Sequence, residues 1–349
     1  MKVMQSFPIK SELEALMKEN NVPGLSLVII EKAITTMHIE LGVKNVESKN
    51  PIDESTVFEA ASLSKPVFAY GVLKLVEACK IDLDKPLVEY FCNPDITKDE
   101  RINSITARMV LAHTTGFPNW RQKNESLKIY FQPGERFGYS GEGYLYLQKV
   151  IEHISGLFLE EYMQKNVFNF LGMEHSSYIW CNNNKKAAAH KADGSRDETQ
   201  TDAPQNAAFT LHTTALDYAK FVIAILVGKG LGSEMAREML MPHIKVHEGG
   251  ISSINHYTGN LSKSVSWGLG WGIQSTKNGN SFWHWGDNGG FKSFIIGSKN
   301  NNSGIIIFTN GAKGLVLISE IIKKYRDDLQ PALDWLAKEY SMQEISNRT

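Results

Sequence analysis

Apolar residues recur at helical spacing through Ser11-Glu12-Leu13-Glu14-Ala15-Leu16-Met17-Lys18-Glu19, and the pattern stops at Asn20-Asn21-Val22-Pro23-Gly24. Two runs rich in β-branched residues follow, at 25–30 and 34–39, and predict a pair of strands turned at Glu31-Lys32. Beyond Phe58-Glu59-Ala60-Ala61-Ser62 the period becomes helical again. Val67, Phe68, Val72, Leu75 and Val76 carry a helix to about Cys79, with Ser62 or Ser64 near its start and Pro66 in its first turn, where proline is tolerated. Helices are predicted over 143–154 and 157–168, and few strand signals occur before about residue 200. The polar stretch 182–203 reads as a long surface loop. Strand patterns return at 268–274, 281–285, 291–297 and 304–309. A closing helix over 315–340 has apolar positions at Leu317, Ile321, Ile322, Leu329, Leu333 and Leu336, and Pro331 is expected to break it.

Strands at both ends with helices between them predict an α/β (α+β) fold. One antiparallel sheet would be flanked by the terminal helices, with a mainly helical lobe inserted in it. A single domain over 1–349 is expected, with a sheet lobe at about 1–60 and 205–349, a helical lobe at about 61–204, and a cleft between them.

Composition narrows the function classes. Against 37 Lys+Arg stand 38 Asp+Glu, a net charge of −1 that argues against a nucleic-acid partner. The longest apolar runs, at 25–30 and 221–227, fall far short of the ~20 residues that cross a bilayer, so no membrane insertion is expected. Three cysteines, Cys79, Cys92 and Cys181, share no metal-like spacing and read as buried structural thiols. Residues 1–10 hold no apolar core of the signal-peptide kind. That predicts a cytoplasmic protein, or a periplasmic or secreted one if a leader has been removed. No cofactor motif and no metal-ligand set stands out, and oligomeric state stays open.

The candidate chemistry begins at Ser62-Leu63-Ser64-Lys65. Three residues apart on a helix, Ser62 and Lys65 share a face, so an unprotonated lysine amine can take the serine proton and make Oγ a nucleophile. The spacing alone also fits an N-cap serine beside a solvated lysine. Three further segments follow in order. They are Met109-Val110-Leu111-Ala112-His113-Thr114-Thr115-Gly116, Gly138-Tyr139-Ser140-Gly141, and His284-Trp285-Gly286-Asp287.

With these four motifs the chain resembles the serine β-lactamase and penicillin-binding superfamily over about residues 10 to 310, most closely its class C β-lactamase, D-aminopeptidase and esterase branch. The resemblance implies Ser62 as acyl-enzyme nucleophile, Lys65 as its proton acceptor, and Tyr139 as a partner in acid/base work. It also implies His284-Trp285-Gly286 as the third motif, and the backbone N–H groups of Ser62 and Asp287 as an oxyanion hole. His113 and Gly116 would form a structural turn. Free lysine and tyrosine titrate near 10, so one must fall by about three pH steps to act at neutral pH, a redistribution of roughly 4 kcal/mol. Mutual proximity of Lys65, Tyr139 and His284 is expected to supply it.

Two departures set the expected substrate. Gly141 stands where the family has an asparagine that holds the substrate amide, and His284 stands where many lactamases have lysine. Both favour ester or small-amide hydrolysis over β-lactam hydrolysis. The alternatives are a β-lactamase or D-alanyl-D-alanine carboxypeptidase, and, from a different class, a catalytically silent binding or scaffold member. In each case the partner would be a small ester, amide or β-lactam. Gly141, Trp120, Trp285 and Gly286 are the expected substrate-binding residues, with Trp120 and Trp285 lining an apolar acyl pocket and Trp267, Trp271 and Trp283 mainly in the core. His243 and His247 have metal-like spacing without an acidic partner and read as loop histidines. Lys323, Lys324, Arg326 and Asp327 read as a solvated helix face.

Overall fold

The computed structural model describes residues 9–92, 99–123, 125–180, 185–199, 203–251, 254, 260–325 and 330–346. Helix α1, Lys10–Glu19, leads into strands β1, Gly24–Glu31, and β2, Ile34–Gly42. The turn between them centres on Lys32 and Ala33, whose φ values of 53° and 58° match the twist a two-residue hairpin needs. β3, Phe58–Glu59, precedes α2, Ser64–Glu77, and α3, Ala107–Leu111. Then come α4, Gly141–Ser155, and α5, Leu159–Met163, which continues through a π-helical turn into α6, Asn169–Leu171. β4, His212–Thr213, is followed by α7, Ala215–Val227, and α8, Ser233–Leu240. The last part holds β5, Ile244–His247; β6, Leu261–Trp267; β7, Gly272–Thr276; β8, Gly279–Asn288; β9, Phe291–Ser298; and β10, Ser303–Thr309. Helices α9, Gly314–Tyr325, and α10, Pro331–Ser346, end the chain.

Eight strands form one antiparallel sheet in the order β2-β1-β10-β9-β8-β7-β6-β5, so the first hairpin joins the last strands as expected. Leu25 pairs with Thr309 and Ile30 with Gly304. β1 is buried along nearly its whole length because both sheet faces are covered, which is why its sequence is a continuous apolar run. One face, with Val28, Ile295, Ile306 and Phe308, packs on α2 to α8. The other, with Leu27, Ile29, Ile305 and Ile307, packs on the terminal helices through Leu13, Leu317, Ile321 and Leu333.

Several expectations change. α7 was legible only as an apolar run, since a helix buried nearly all round shows no clean period, and α8 was missed. Strands β5 and β6 lie before residue 268, where the strand patterns return, and β5 takes in His247, read as a loop histidine; only the last part of β6 is buried and its first residues carry no apolar alternation. The 182–203 stretch is not all surface. Ala187, Ala189 and His190 are buried, and Ala187 N–H donates to the Val57 carbonyl at 2.9 Å, an approach that small side chains permit. Cys79 and Cys92 are exposed rather than buried, Cys79 because it sits in the left-handed turn (φ 53°) just past the α2 C-terminus. Cys181, Arg326, Asp327 and Leu329 lie outside the described residues. Lys323 and Lys324 are exposed on α9, and Pro331 heads α10. Among the described residues no helix is long and apolar enough to cross a membrane.

Candidate active site

The two-stranded ladder β3–β4 delivers the chain to Ser62. Phe58 pairs with Thr213, Glu59 with His212, and Ala60 N–H donates to the Leu211 carbonyl at 2.8 Å. Ala61 then takes a left-handed conformation (φ 50°), a strain of order 1 kcal/mol for a residue with a Cβ, and Ser62 sits in the short 3₁₀ turn Ala61–Leu63 that opens α2. Ser64 is the structural serine of the pair. Its hydroxyl donates to the Ala61 carbonyl at 2.5 Å and accepts from Leu211 N–H at 2.9 Å. Tyr178 and Tyr218 hydroxyls donate to the carbonyls of Ser64 and Leu63, so the turn is held from both sides.

Lys65 lies one helical turn after Ser62. Its Nζ is 3.1 Å from Ser62 Oγ and donates to the Ala208 carbonyl at 3.0 Å. It sits 4.6 Å from the centre of the Tyr139 ring. The side chain is 1% exposed and, among the described residues, pairs with no carboxylate. Burial alone holds its amine well below the ordinary lysine pKa of 10.5. The expected mutual effect of Lys65, Tyr139 and His284 is therefore not the cause of the lysine's shift. The tyrosine in fact moves the other way: burial raises the Tyr139 phenol, and the Ser62 hydroxyl opposes this more weakly.

The lysine's shift has a stability consequence with a definite sign. Between its lowered folded pKa and the unfolded value near 10.4, the unfolded chain binds more protons, so this group's contribution to stability rises with pH. Its cost is complete below the folded pKa and gone above the unfolded one. Calorimetry of wild type and Lys65→Met should show the melting-temperature difference moving in methionine's favour by about 2 °C or more between pH 9 and pH 6. A difference constant with pH would mean that Lys65 stays charged in the fold.

Tyr139 is set by its neighbours in sequence. Gly138 N–H donates to the His113 carbonyl, Tyr139 N–H to the Gly250 carbonyl at 3.0 Å, and Ser140 Oγ caps α4 through Gly143 N–H. Glu339 of α10, fully buried, accepts from Gly249 and Ile251 N–H and so fixes the turn beneath Tyr139. His113 has a left-handed backbone (φ 56°) and Gly116 likewise (φ 79°), the turn the motif implied. The imidazole of His113 stacks 4.3 Å from the Tyr139 ring and accepts Ser140 N–H on Nδ1.

Strand β8 brings the third motif. His284 is fully buried and its Nδ1–H donates to the Trp285 carbonyl at 2.7 Å, leaving a lone pair on Nε2. Burial first, and then the neighbouring Lys65, push its pKa down to about 3, so it is a neutral acceptor at working pH. Trp283 and Trp285 pack on Trp335 of α10, so Trp285 belongs to the aromatic layer beneath Tyr139, 5.0 Å from that ring, rather than to an open wall. The Asp287 carboxylate is occupied by Lys292 and by Tyr340 Oη at 2.8 Å.

Gly286 touches the Ser62 turn. A Cβ there would stand 2.3 Å from the Ala60 carbonyl oxygen and 2.2 Å from Ser293 Oγ. Gly286→Ala should push β8 off that turn, with a stability loss of about 1–3 kcal/mol and turnover down about 10²-fold. Chemical denaturation and steady-state kinetics check both.

The remaining residues sort clearly. Gly141 and Trp120 lie side by side at the α4 N-terminus. His243 and His247 flank and end β5; His243 Nε2 is 3.0 Å from the Glu238 carbonyl and the His247 carbonyl accepts Trp335 Nε1–H. Sequence reasoning missed the Ala208 carbonyl, Asn119 and Phe209, for which no motif exists. Glu59, which accepts Asn288 Nδ2–H at 2.8 Å and pairs with Lys186, was also missed.

The sequence profile of the family described as Beta-lactamase matches residues 9–320. The chain belongs to the beta-lactamase family. Among curated proteins it is similar to Protein flp of Staphylococcus aureus (strain N315), 22% identical over 321 residues covering 85% of this chain and 61% of that one. It thus spans about three fifths of the length of that relative. Among solved structures, the penicillin binding protein from Bacillus halodurans superposes with a TM-score of 0.75 at 22% identity, covering 91% of this chain and 100% of that one. A class C beta-lactamase gives 0.74 at 17% identity, covering 91% and 95%. These superpositions establish the β-lactamase/transpeptidase fold.

Proposed function

We propose that this beta-lactamase family member is a serine hydrolase that works through an acyl-enzyme on Ser62, with carboxylic esters or small amides as substrates. The observation that carries this reading is the 3.1 Å contact between Ser62 Oγ and the buried, charge-unpaired amine of Lys65. Kept neutral by burial, Lys65 takes the Ser62 proton as Oγ attacks the carbonyl carbon. The oxyanion forms against the main-chain N–H groups of Ser62 and Asp287, each donor contributing roughly 3 kcal/mol. The C–O or C–N bond then breaks. The proton passes from Lys65 by way of the Tyr139 hydroxyl to the leaving group, and the ester of Ser62 remains. Water attacks that ester, gives its proton to the same pair of groups, and frees Ser62 and the acid. Tyr139, whose pKa is raised, serves as proton donor, and neutral His284 keeps an Nε2 lone pair that no described group occupies, ready to accept a hydrogen bond.

Two features support esters and small amides over β-lactams. Position 141 carries no side-chain amide for a substrate acylamino group, and His284 is neutral where a lactamase lysine would meet the antibiotic carboxylate with a charge. The test pairs a short-chain p-nitrophenyl ester with a chromogenic cephalosporin, in wild type and Ser62→Ala. Ester turnover that disappears in the variant, with the cephalosporin barely touched, is the expected result. Fast cephalosporin turnover would overturn the substrate class, and ester turnover unaffected by the substitution would overturn the mechanism.

A further inference from the structure

We propose that Trp120 determines acyl-group specificity at the Ser62 site: its indole fills the space that a side chain at position 141 would take and, with Phe209, forms an apolar wall for an aryl or alkyl acyl group. This rests on the Ser62 hydrolase reading and deepens it.

The argument begins at Gly141. Its backbone is not left-handed, so conformational freedom does not call for glycine there. A Cβ at 141 would meet Trp120 Cη2 and Cζ2 at 2.5 Å and the Asn119 carbonyl oxygen at 2.9 Å, and it is chiefly the indole that excludes one. Position 141 is where the motif comparison places an amide-bearing side chain. Here aromatic carbon stands in its place.

Trp120 is also held rather than merely present. On one side, Gly141 N–H donates to both the carbonyl and Oδ1 of Asn119, at 3.0 and 3.1 Å, and Glu142 N–H donates to the same carbonyl at 3.1 Å. On the other, Arg121 N–H donates to Glu142 Oε1 at 3.1 Å, and its guanidinium pairs with that carboxylate. Both neighbours of Trp120 are therefore fastened to the first turn of α4, two residues from Tyr139. Even so, the indole remains 44% exposed, an apolar surface fixed in place with one side open.

Its closed side is covered by Phe209. Trp120 meets Phe209 edge-on at 5.4 Å between ring centres. Phe209 directly follows Ala208, whose carbonyl holds Lys65 Nζ beside Ser62. The wall thus runs from the lysine anchor to the α4 N-terminus. An acyl carbon chain bound at Ser62 meets carbon there, and an acylamino group meets no amide at position 141.

The test compares p-nitrophenyl phenylacetate with p-nitrophenyl acetate, which share a leaving group. In Trp120→Ala the ratio of their kcat/KM values should fall about ten-fold, the size of a lost apolar contact in a specificity pocket. Gly141→Ala should lower the same ratio in the same direction, because its methyl group displaces the indole. An unchanged ratio, or an equal loss for both esters, overturns the proposal, since the first means no contact and the second a purely structural role. A binding arm stands apart from turnover: titration of phenylacetamide into Ser62→Ala and into the Ser62→Ala/Trp120→Ala double variant should show Kd about ten-fold weaker in the latter. Equal Kd values overturn the wall whatever the kinetics. If Ser62→Ala hydrolyses the esters as well as wild type does, the hydrolase reading falls and the binding arm alone decides on Trp120.

Discussion

Ser62→Ala is expected to lower kcat/KM toward a p-nitrophenyl ester by about 10⁴–10⁶-fold, with folding intact. On the proposed mechanism, loss of the hydroxyl removes the atom that forms the covalent intermediate, and no other described hydroxyl takes its place. Ser64 is two residues away, but its Oγ is committed to the Ala61 carbonyl and Leu211 N–H and lies in the core. Ser62 itself is half-buried, and its hydroxyl interacts with the Lys65 amine and the Tyr139 phenol, so its removal leaves the turn's main-chain contacts in place. Circular dichroism and thermal melting should match wild type while the rate collapses. A variant with more than about one hundredth of wild-type activity would mean that the nucleophile lies elsewhere.

Lys65→Arg should cost about 10³–10⁴-fold in kcat, the next largest effect. Arginine keeps the positive charge and the reach but stays protonated above pH 12, so it cannot accept the Ser62 proton. The wild-type lysine can, because a side chain sealed from water loses the solvation that stabilises its charged form. The pH profile separates this role from simple charge. Wild-type activity should rise as pH climbs through the lowered lysine pKa and then level off, and the arginine variant should lack that rising limb. A variant that keeps wild-type rate and the same limb would show that Lys65 acts only as a fixed cation and would pass the base role to another group.

The two residues differ in how far their behaviour could be read in advance. The spacing of Ser62 and Lys65 is local, since three residues along a helix set their separation whatever else the chain does. The lowered lysine pKa is not local. Ala208, 143 residues away, supplies the carbonyl that holds the amine, and Tyr139 and Tyr144 supply rings over it. The same contrast holds for Tyr139: its motif was visible, but the upward shift of its phenol follows from burial among His113, Trp267 and Trp285. Strands β1, β8, β9 and β10 are legible because long runs of their positions are β-branched or aromatic, whereas β5 is only four residues long and β6 opens on the polar Ser262-Lys263-Ser264, so their few β-branched and aromatic residues make no run.

By itself, then, the sequence determined the hairpin at 24–42, the closing strands and helices, the serine–lysine face of α2, the glycine at 141 and the absence of a lysine at 284. Each follows from a pattern a few residues long or from a residue's own chemistry. Only the tertiary structure decided that Lys65 is dry, that His284 is a neutral acceptor, that Gly286 abuts the Ser62 turn and that Trp120 stands where the side chain of residue 141 would be. Desolvation and steric exclusion belong to the packed molecule. They arise where segments from residues 58–65, 119–141, 206–212 and 283–288 meet, and no segment carries them alone.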